Sequence, residues 1–192
     1  MTMTAERNLD VLIVRIYNDD APAFKELFLL YHSRLIQFSY SITHSKVQAE
    51  EIVSDVFLKI WLKRKTLTSI KNLHLYLYIS TKNFSINYLM KEKKEKVFSL
   101  NEAIVELKSF SFNPEQIMLS TEMLGRIRFA ILQLPPQCQL IFKLIKEDGL
   151  KYREVAELLS LSLKTVENQM TIALKKIAAT IQFNAARAIS AS

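Results

Sequence analysis

Glycine and cysteine are scarce in this sequence, and each shortage excludes a class of protein. Only Gly125 and Gly149 occur among the 192 residues, so the chain has no glycine-rich loop of the kind that cradles nucleotide phosphates. Cys138 is the single cysteine. A single cysteine cannot form an intrachain disulfide or a thiolate zinc cluster within one chain, and such scarcity fits a reducing cytoplasm.

Metal-ligating patterns are missing as well. The three histidines are widely spaced, and no His-x-x-x-His pair occurs. The adjacent carboxylates Asp19 and Asp20 have ligand-like spacing, and we interpret them as helix caps. We therefore expect no catalytic residue, no metal and no cofactor, and hence a protein that is not an enzyme.

Long uncharged stretches are also absent. The first ten residues include Glu6, Arg7 and Asp10, and no later window of about 18 residues lacks a charge, which is the length a membrane span needs. Hydrophobic residues make up 49% and charged residues 23% of the chain, a balance typical of packed soluble proteins. We expect a cytoplasmic protein without a signal peptide or a membrane span.

The charges are distributed unevenly along the chain, whose net charge is +7. Residues 1–58 contain 5 basic and 8 acidic residues, whereas residues 59–96 contain 10 basic and 2 acidic residues. Residues 97–113 contain 1 basic and 2 acidic residues, and residues 114–192 contain 10 basic and 7 acidic residues. A basic block behind an acidic segment is typical of a nucleic-acid surface, although a solvated basic helix face explains the charge alone.

Apolar residues recur at helical spacing on both sides of one irregular segment, which predicts an all-α protein of two helical domains. Pro22, Pro114 and the pair at 135–136 mark helix starts. Periodicity is weakest in residues 97–113, where serine and asparagine are scattered among apolar residues. We therefore predict a domain over residues 1–96, a linker over 97–113 and a second domain over 114–184.

The helix predicted over residues 48–62 has two unlike faces. One face is apolar and belongs to the core: Ile52, Val53, Val56, Phe57, Ile60 and Trp61. The opposite face places leucines beside carboxylates, and we name it the acidic-leucine face: Glu51, Asp55, Leu58 and Leu62. Outward leucines favour docking onto a partner with a basic rim, and contact with another helix of the same domain explains them equally well.

Residues 71–96 interleave aromatic residues with lysine and asparagine. Lysines attract phosphates, aromatic faces stack on unpaired bases, and an asparagine amide presents both a donor and an acceptor to a base edge. We expect most of residues 75–89 to pack in the core. The predicted binding residues for an unpaired strand are Lys82, Asn83, Asn87, Lys91, Lys93 and Lys94.

Residues 152–177 are typical of a helix-turn-helix. A short helix over 152–159 precedes a turn at 160–162, and Ser162 is a favourable N-cap for a longer helix. The second helix is expected to bury Leu163, Val166, Met170, Ala173, Leu174 and Ile177. Its opposite face has side chains suited to a major groove: Lys164, Thr165, Asn168, Thr171, Ile172 and Lys175. A purely structural helical hairpin also fits the spacing.

Taken together and in this order, the three segments resemble the extracytoplasmic-function (ECF) class of bacterial sigma factors, over nearly the whole chain. AEEIVSDVFLKIW (residues 49–61) resembles the region 2 helix that docks on the polymerase clamp coiled coil. YLYISTKNFSINYLMKEKK (76–94) resembles the segment that melts and reads the minus-ten element. LPPQCQLIFKLIKEDGLKYREVAELLSLSLKTVENQMTIALKKI (134–177) resembles region 4, which reads the minus-thirty-five element. The sequence is expected to resemble members from Bacteroidetes-like bacteria in particular.

The resemblance implies core RNA polymerase and promoter DNA as partners, and usually a membrane-linked anti-sigma factor that covers both binding faces. It places Asn83 beside a flipped minus-ten base, with Asn87 on the same helix. The chain departs from the family at Glu167, where many members have arginine or lysine. Lys164 or Lys175 would then supply the phosphate contact, or Glu167 accepts from a cytosine amine.

A stand-alone helix-turn-helix regulator is the alternative function. This function requires the acidic-leucine face to self-associate. It assigns no role to the lysine and aromatic residues of 71–96.

Overall fold

The computed structural model of this chain describes the backbone of residues 3–95 and 122–190, with the side chains of 9–92, 125 and 127–179. The elements are α1 (Met3–Tyr17), α2 (Ala21–Thr43), α3 (Lys46–Leu62), a 3-10 helix (Arg64–Ser69), α4 (Leu73–Glu95), α5 (Glu122–Leu132), α6 (Pro136–Lys146), α7 (Tyr152–Leu159) and α8 (Leu163–Ser190). All regular elements in the described ranges are helical, which confirms the all-α prediction.

The chain divides into two compact units, with α1 to α4 in the first and α5 to α8 in the second. The predicted linker, residues 97–113, lies outside the described residues. The domain limits 1–96 and 114–184 therefore remain predictions.

The first unit is organised around α2, which packs against α1, α3 and α4. Asp20 caps α2 as predicted, because its Oδ1 accepts from the Ala23 N–H at 2.9 Å. The capping prediction is wrong for Asp19. This residue has a left-handed backbone (φ 66°), and its carboxylate binds Arg64 and, at 2.8 Å, Lys65 of the 3-10 helix. These cations hold the pKa of Asp19 below its usual value through hydrogen bonds, Lys65 most strongly.

The crossing of α2 and α4 fixes the position of α4. Ser39 and Ser85 are fully buried, and their Oγ atoms lie 2.9 Å apart. Such small side chains let the two helices approach closely. Nearby, the Tyr31 hydroxyl lies 3.1 Å from His74 Nδ1, and burial raises the pKa of Tyr31 to about 12.

The second unit has a core shared by α5, α6 and α8: Ala130, Ile131, Leu134, Cys138, Ala173 and Ile177. The Cys138 thiol donates to Gln169 Oε1 of α8 at 2.5 Å, and burial raises the pKa of this thiol. The thiol is therefore held neutral inside the core, where it packs as a small apolar group.

A buried ion pair closes the corner between α6 and α7. Lys143 Nζ lies 2.9 Å from both carboxylate oxygens of Asp148, and both side chains are 2% exposed. Gly149 follows with φ 82°, a backbone conformation that glycine adopts without a Cβ clash. The Leu150 N–H then donates to the Leu144 carbonyl at 2.9 Å, so the chain turns sharply into α7.

Candidate functional site

The acidic-leucine face is exposed on α3. Ser45 begins this helix, with its Oγ accepting from the Gln48 N–H. The predicted core face is buried at Ile52, Val53, Val56, Phe57 and Ile60, and Trp61 is half-buried. Leu58 is 55% and Leu62 is 68% exposed, and both carboxylates of the face are exposed as well. In the described part of the chain, no helix covers these leucines.

Val47 extends the acidic-leucine face and was missed by the sequence reading. Its side chain is 74% exposed. It precedes Glu51 by four residues, Leu58 by eleven and Leu62 by fifteen, so all four share one side of the helix at about 100° per residue. Extending the predicted helix back to its serine cap would have revealed it.

The exposed side of α4 carries Asn83, Asn87 and Lys91, as predicted. Lys82 is half-buried at the edge of this side. Lys93 and Lys94 belong to α4 by backbone, but their side chains lie outside the described residues. The opposite side is core, with Leu77, Tyr78, Thr81 and Ser85 fully buried. Leu75 is buried as well, so five of residues 75–89 lie in the core, whereas most of the others are half-buried.

The two faces of the first unit are joined by a contact between their helices. The Lys59 ammonium of α3 lies 5.0 Å from the ring centroid of Phe84 of α4. Phe84 is half-buried, as are Tyr76 and Tyr88. Part of each ring therefore stays accessible beside Asn83, while the lysine stabilises the crossing of the helices.

The helix-turn-helix forms where predicted. The Lys151 N–H donates to Glu154 Oε2 at 2.7 Å, which begins α7. Ser160 ends α7 in a left-handed conformation, φ 56°. Ser162 Oγ accepts from the Thr165 N–H at 3.0 Å, which confirms the predicted cap of α8. Ala156 of α7 is buried.

The buried stripe of α8 is narrower than predicted. Val166, Met170, Ala173 and Ile177 are buried, as expected. The prediction is wrong for Leu163 and Leu174, which are exposed. Both lie on the same flank of the stripe, which the packing partners α5, α6 and α7 leave exposed.

The predicted groove-reading residues lie together on the outer side of α8, within roughly a third of its circumference. Asn168, Ile172 and Lys175 are exposed, as are Lys164 and Thr171. Thr165 is half-buried because its hydroxyl lies 2.8 Å from Ser162 Oγ. Cations, an amide and apolar carbons on one exposed helix suit phosphates, base edges and thymine methyls.

The described residues contain no group of three or more His, Cys, Asp or Glu side chains that could hold a metal ion. None of the described helices is long and apolar enough to cross a membrane.

Two family models match the chain. "Sigma-70 region 2" matches residues 27–95, which include the acidic-leucine face and α4. "Sigma-70, region 4" matches residues 124–177, which include the helix-turn-helix.

Relatives match over most of the chain. The ECF RNA polymerase sigma-E factor of Escherichia coli K12 is 25% identical over 188 residues, covering 94% of this chain and 97% of the relative. The ECF RNA polymerase sigma factor SigW of Bacillus subtilis is 23% identical over 165 residues, covering 82% and 88%.

Two solved structures share the fold. CnrH, solved with the cytosolic domain of CnrY, has a TM-score of 0.51 at 18% identity and covers 90% of this chain and 96% of its own. The sigma factor RpoE of Bartonella quintana, solved with the anti-sigma factor NepR, has a TM-score of 0.53 at 21% identity and covers 83% and 96%.

Proposed function

The chain belongs to the ECF group of the sigma-70 family, and from that premise we propose how its surfaces carry out transcription initiation. Sigma factors are non-enzymatic initiation factors. This one binds core RNA polymerase, directs it to specific promoters by recognising the minus-ten and minus-thirty-five elements, and opens the duplex at the minus-ten element. The observation that carries the residue assignments is that three separate exposed faces coincide with the two matched regions.

The acidic-leucine face, extended by Val47, is the proposed polymerase-binding surface. Glu51, Asp55, Leu58 and Leu62 present apolar carbon beside negative charge. Such a surface fits an apolar patch with a basic rim, because burying the leucines supplies affinity and the carboxylates supply orientation. The exposure of large apolar side chains on an otherwise well-packed helix supports the assignment of this face to polymerase binding.

The exposed side of α4 is the proposed minus-ten surface. Asn83 and Asn87 hydrogen-bond bases of the opened strand, and Lys82, Lys91, Lys93 and Lys94 hold its phosphates. The buried Ser39–Ser85 contact supports this assignment, because it fixes the helix from behind and leaves the asparagines outward. A rigid helix reduces the entropy lost when the flexible strand binds.

The outer side of α8 is the proposed minus-thirty-five surface. Lys164, Asn168, Thr171, Ile172 and Lys175, together with Thr165 at the cap, enter the major groove of duplex DNA. The N-terminus of α8, capped by Ser162, carries a partial positive charge and lies beside exposed Lys164.

Reconstituted transcription tests the function as a whole. Purified chain is added to core polymerase of the source bacterium with genomic promoter fragments, and we expect promoter-specific transcripts only when both proteins are present. Tight duplex binding by the chain alone, without association with core polymerase, would instead establish a stand-alone helix-turn-helix regulator.

A double substitution on α4 separates promoter opening from polymerase binding. Asn83→Ala with Asn87→Ala removes two amide contacts to unpaired bases, and we expect opening to fall on the order of 10-fold. Affinity for core polymerase should stay unchanged, because both residues are exposed on a different face from Leu58. Permanganate reactivity of unpaired thymines measures the opening.

Gln37→Ala, at an exposed amide on α2, is the matched control and should open promoters like the wild type. Equal opening by the double variant and the wild type would remove Asn83 and Asn87 from the minus-ten surface.

We also propose an anti-sigma partner, since the RpoE and CnrH structures were solved with NepR and with the cytosolic domain of CnrY. Because the proposed function is exerted on RNA polymerase, we propose that the protein acts in the cytoplasm. Resemblance to members from Bacteroidetes-like bacteria supports a similar origin for this chain, which the sequence of the encoding genome tests directly.

A further inference from the structure

We propose that Glu167 reads a base in the minus-thirty-five element: its carboxylate accepts a hydrogen bond from the exocyclic amine of a cytosine in the major groove. The inference rests on the proposed function and adds a specificity-determining residue to it. Glu167 is exposed on α8, immediately before Asn168 and one turn before Thr171. It therefore borders the minus-thirty-five surface.

Few strong hydrogen-bond acceptors are available on this surface. The Thr165 hydroxyl is engaged with Ser162 Oγ at 2.8 Å. The Thr171 hydroxyl donates to the carbonyl of Glu167 at 2.9 Å. The hydroxyl oxygens keep acceptor lone pairs, but a neutral hydroxyl is a weaker acceptor than a carboxylate. The strongest acceptors left for base amines are the Asn168 amide and the Glu167 carboxylate.

The negative charge of Glu167 is offset by a neighbouring lysine. A carboxylate beside DNA is repelled by phosphates unless a cation offsets it. Lys164 Nζ lies 3.9 Å from Glu167 Oε2, which is close enough for attraction and too long for a hydrogen bond. The pair offsets the negative charge while the carboxylate oxygens keep their capacity to accept a hydrogen bond from DNA.

The donors and acceptors on the base edges determine which base a carboxylate prefers. Cytosine N4 and adenine N6 are the amine donors in the major groove, but adenine also presents the acceptor N7 beside its amine. A carboxylate only accepts, so N7 repels it. Cytosine presents a C5–H group rather than an acceptor on the outer side of its amine, and the acceptor of the paired base beside the amine, guanine O6 or thymine O4, is present for both bases. Glu167 therefore favours cytosine, and Asn168, with both donor and acceptor, suits adenine.

The test measures holoenzyme affinity for promoters in which each base pair of the minus-thirty-five element is replaced in turn. Wild type is compared with Glu167→Gln and with Glu157→Gln, a matched change at an exposed carboxylate on α7. We expect one position where wild type prefers cytosine on the order of 10-fold, and we expect Glu167→Gln to lose that preference. Glu157→Gln should keep it.

A base analogue identifies the atom. 2-Pyrimidinone paired with guanine lacks the cytosine amine, and at that position it should weaken wild-type binding on the order of 10-fold. Binding by Glu167→Ala should respond to the analogue much less, because the acceptor is already gone.

Two results would overturn the inference. One is an unchanged base preference in Glu167→Gln at every position. The other is uniformly tighter binding of all sequences by Glu167→Ala, which would make Glu167 only a repulsive group. Absence of any promoter preference in the wild-type holoenzyme would instead contradict the proposed function itself.

Discussion

Leu58→Asp weakens binding to core RNA polymerase by about 30-fold or more, the effect expected for a central interface residue worth about 2 kcal/mol or more. The leucine is 55% exposed, so its replacement removes little from the core of the first unit. Within an interface, however, the new carboxylate would be buried without a partner and would repel Asp55 one turn away. Promoter-specific transcription should fall in parallel.

Leu29→Asp is the matched control for this substitution. Leu29 is 67% exposed on α2 and lies on a different helix from the acidic-leucine face. Both variants should unfold at the same denaturant concentration as the wild type, and only Leu58→Asp should lose polymerase binding, measured by co-elution and by titration. An equal loss in both variants, or full affinity of Leu58→Asp, would contradict the assignment of the face.

Local signals explain what the sequence predicted correctly. The helix-turn-helix depends on neighbours along the chain: Ser162 caps its own helix through the N–H three residues later, and the turn at 160–162 lies between two helices with strong apolar periodicity. The two faces of α3 were predicted equally well, because position on one helical wheel separates exposed Leu58 from buried Val56.

Features that depend on tertiary contacts could not be predicted from the sequence. The exposure of Leu163 and Leu174 depends on how far the neighbouring helices extend over α8, which spacing within α8 does not record. Asp19 resembles a cap by position, yet its partners Arg64 and Lys65 are distant in sequence. Tertiary packing decides such positions.

The buried pair Lys143 and Asp148 was not predicted either, since both residues are usually solvated. Their closeness follows from the tight turn after α6, in which the Asp148 N–H donates to the Lys143 carbonyl at 3.0 Å. The turn sets the start of α7. The Lys143–Asp148 pair, which no sequence motif indicates, therefore helps to fix the position at which the helix-turn-helix begins.

Lys143→Met should destabilise the second unit by about 3–5 kcal/mol, because it leaves the Asp148 carboxylate buried without its cation. Lys143→Met combined with Asp148→Leu should regain most of that loss, since an apolar pair of similar volume needs no desolvated charge. Lys146→Met, at an exposed lysine on the same helix, should change stability by about 0.5 kcal/mol or less.

Two native probes report the units separately during urea unfolding. Trp61 is the single tryptophan and lies in the first unit, so its fluorescence should give the same transition in every variant. Cys138 is buried in the second unit, and its reaction with a thiol reagent should accelerate in Lys143→Met and return toward the wild-type rate in the double variant. If the double variant were no more stable than Lys143→Met, the cost would come from altered packing at the corner rather than from the unpaired carboxylate.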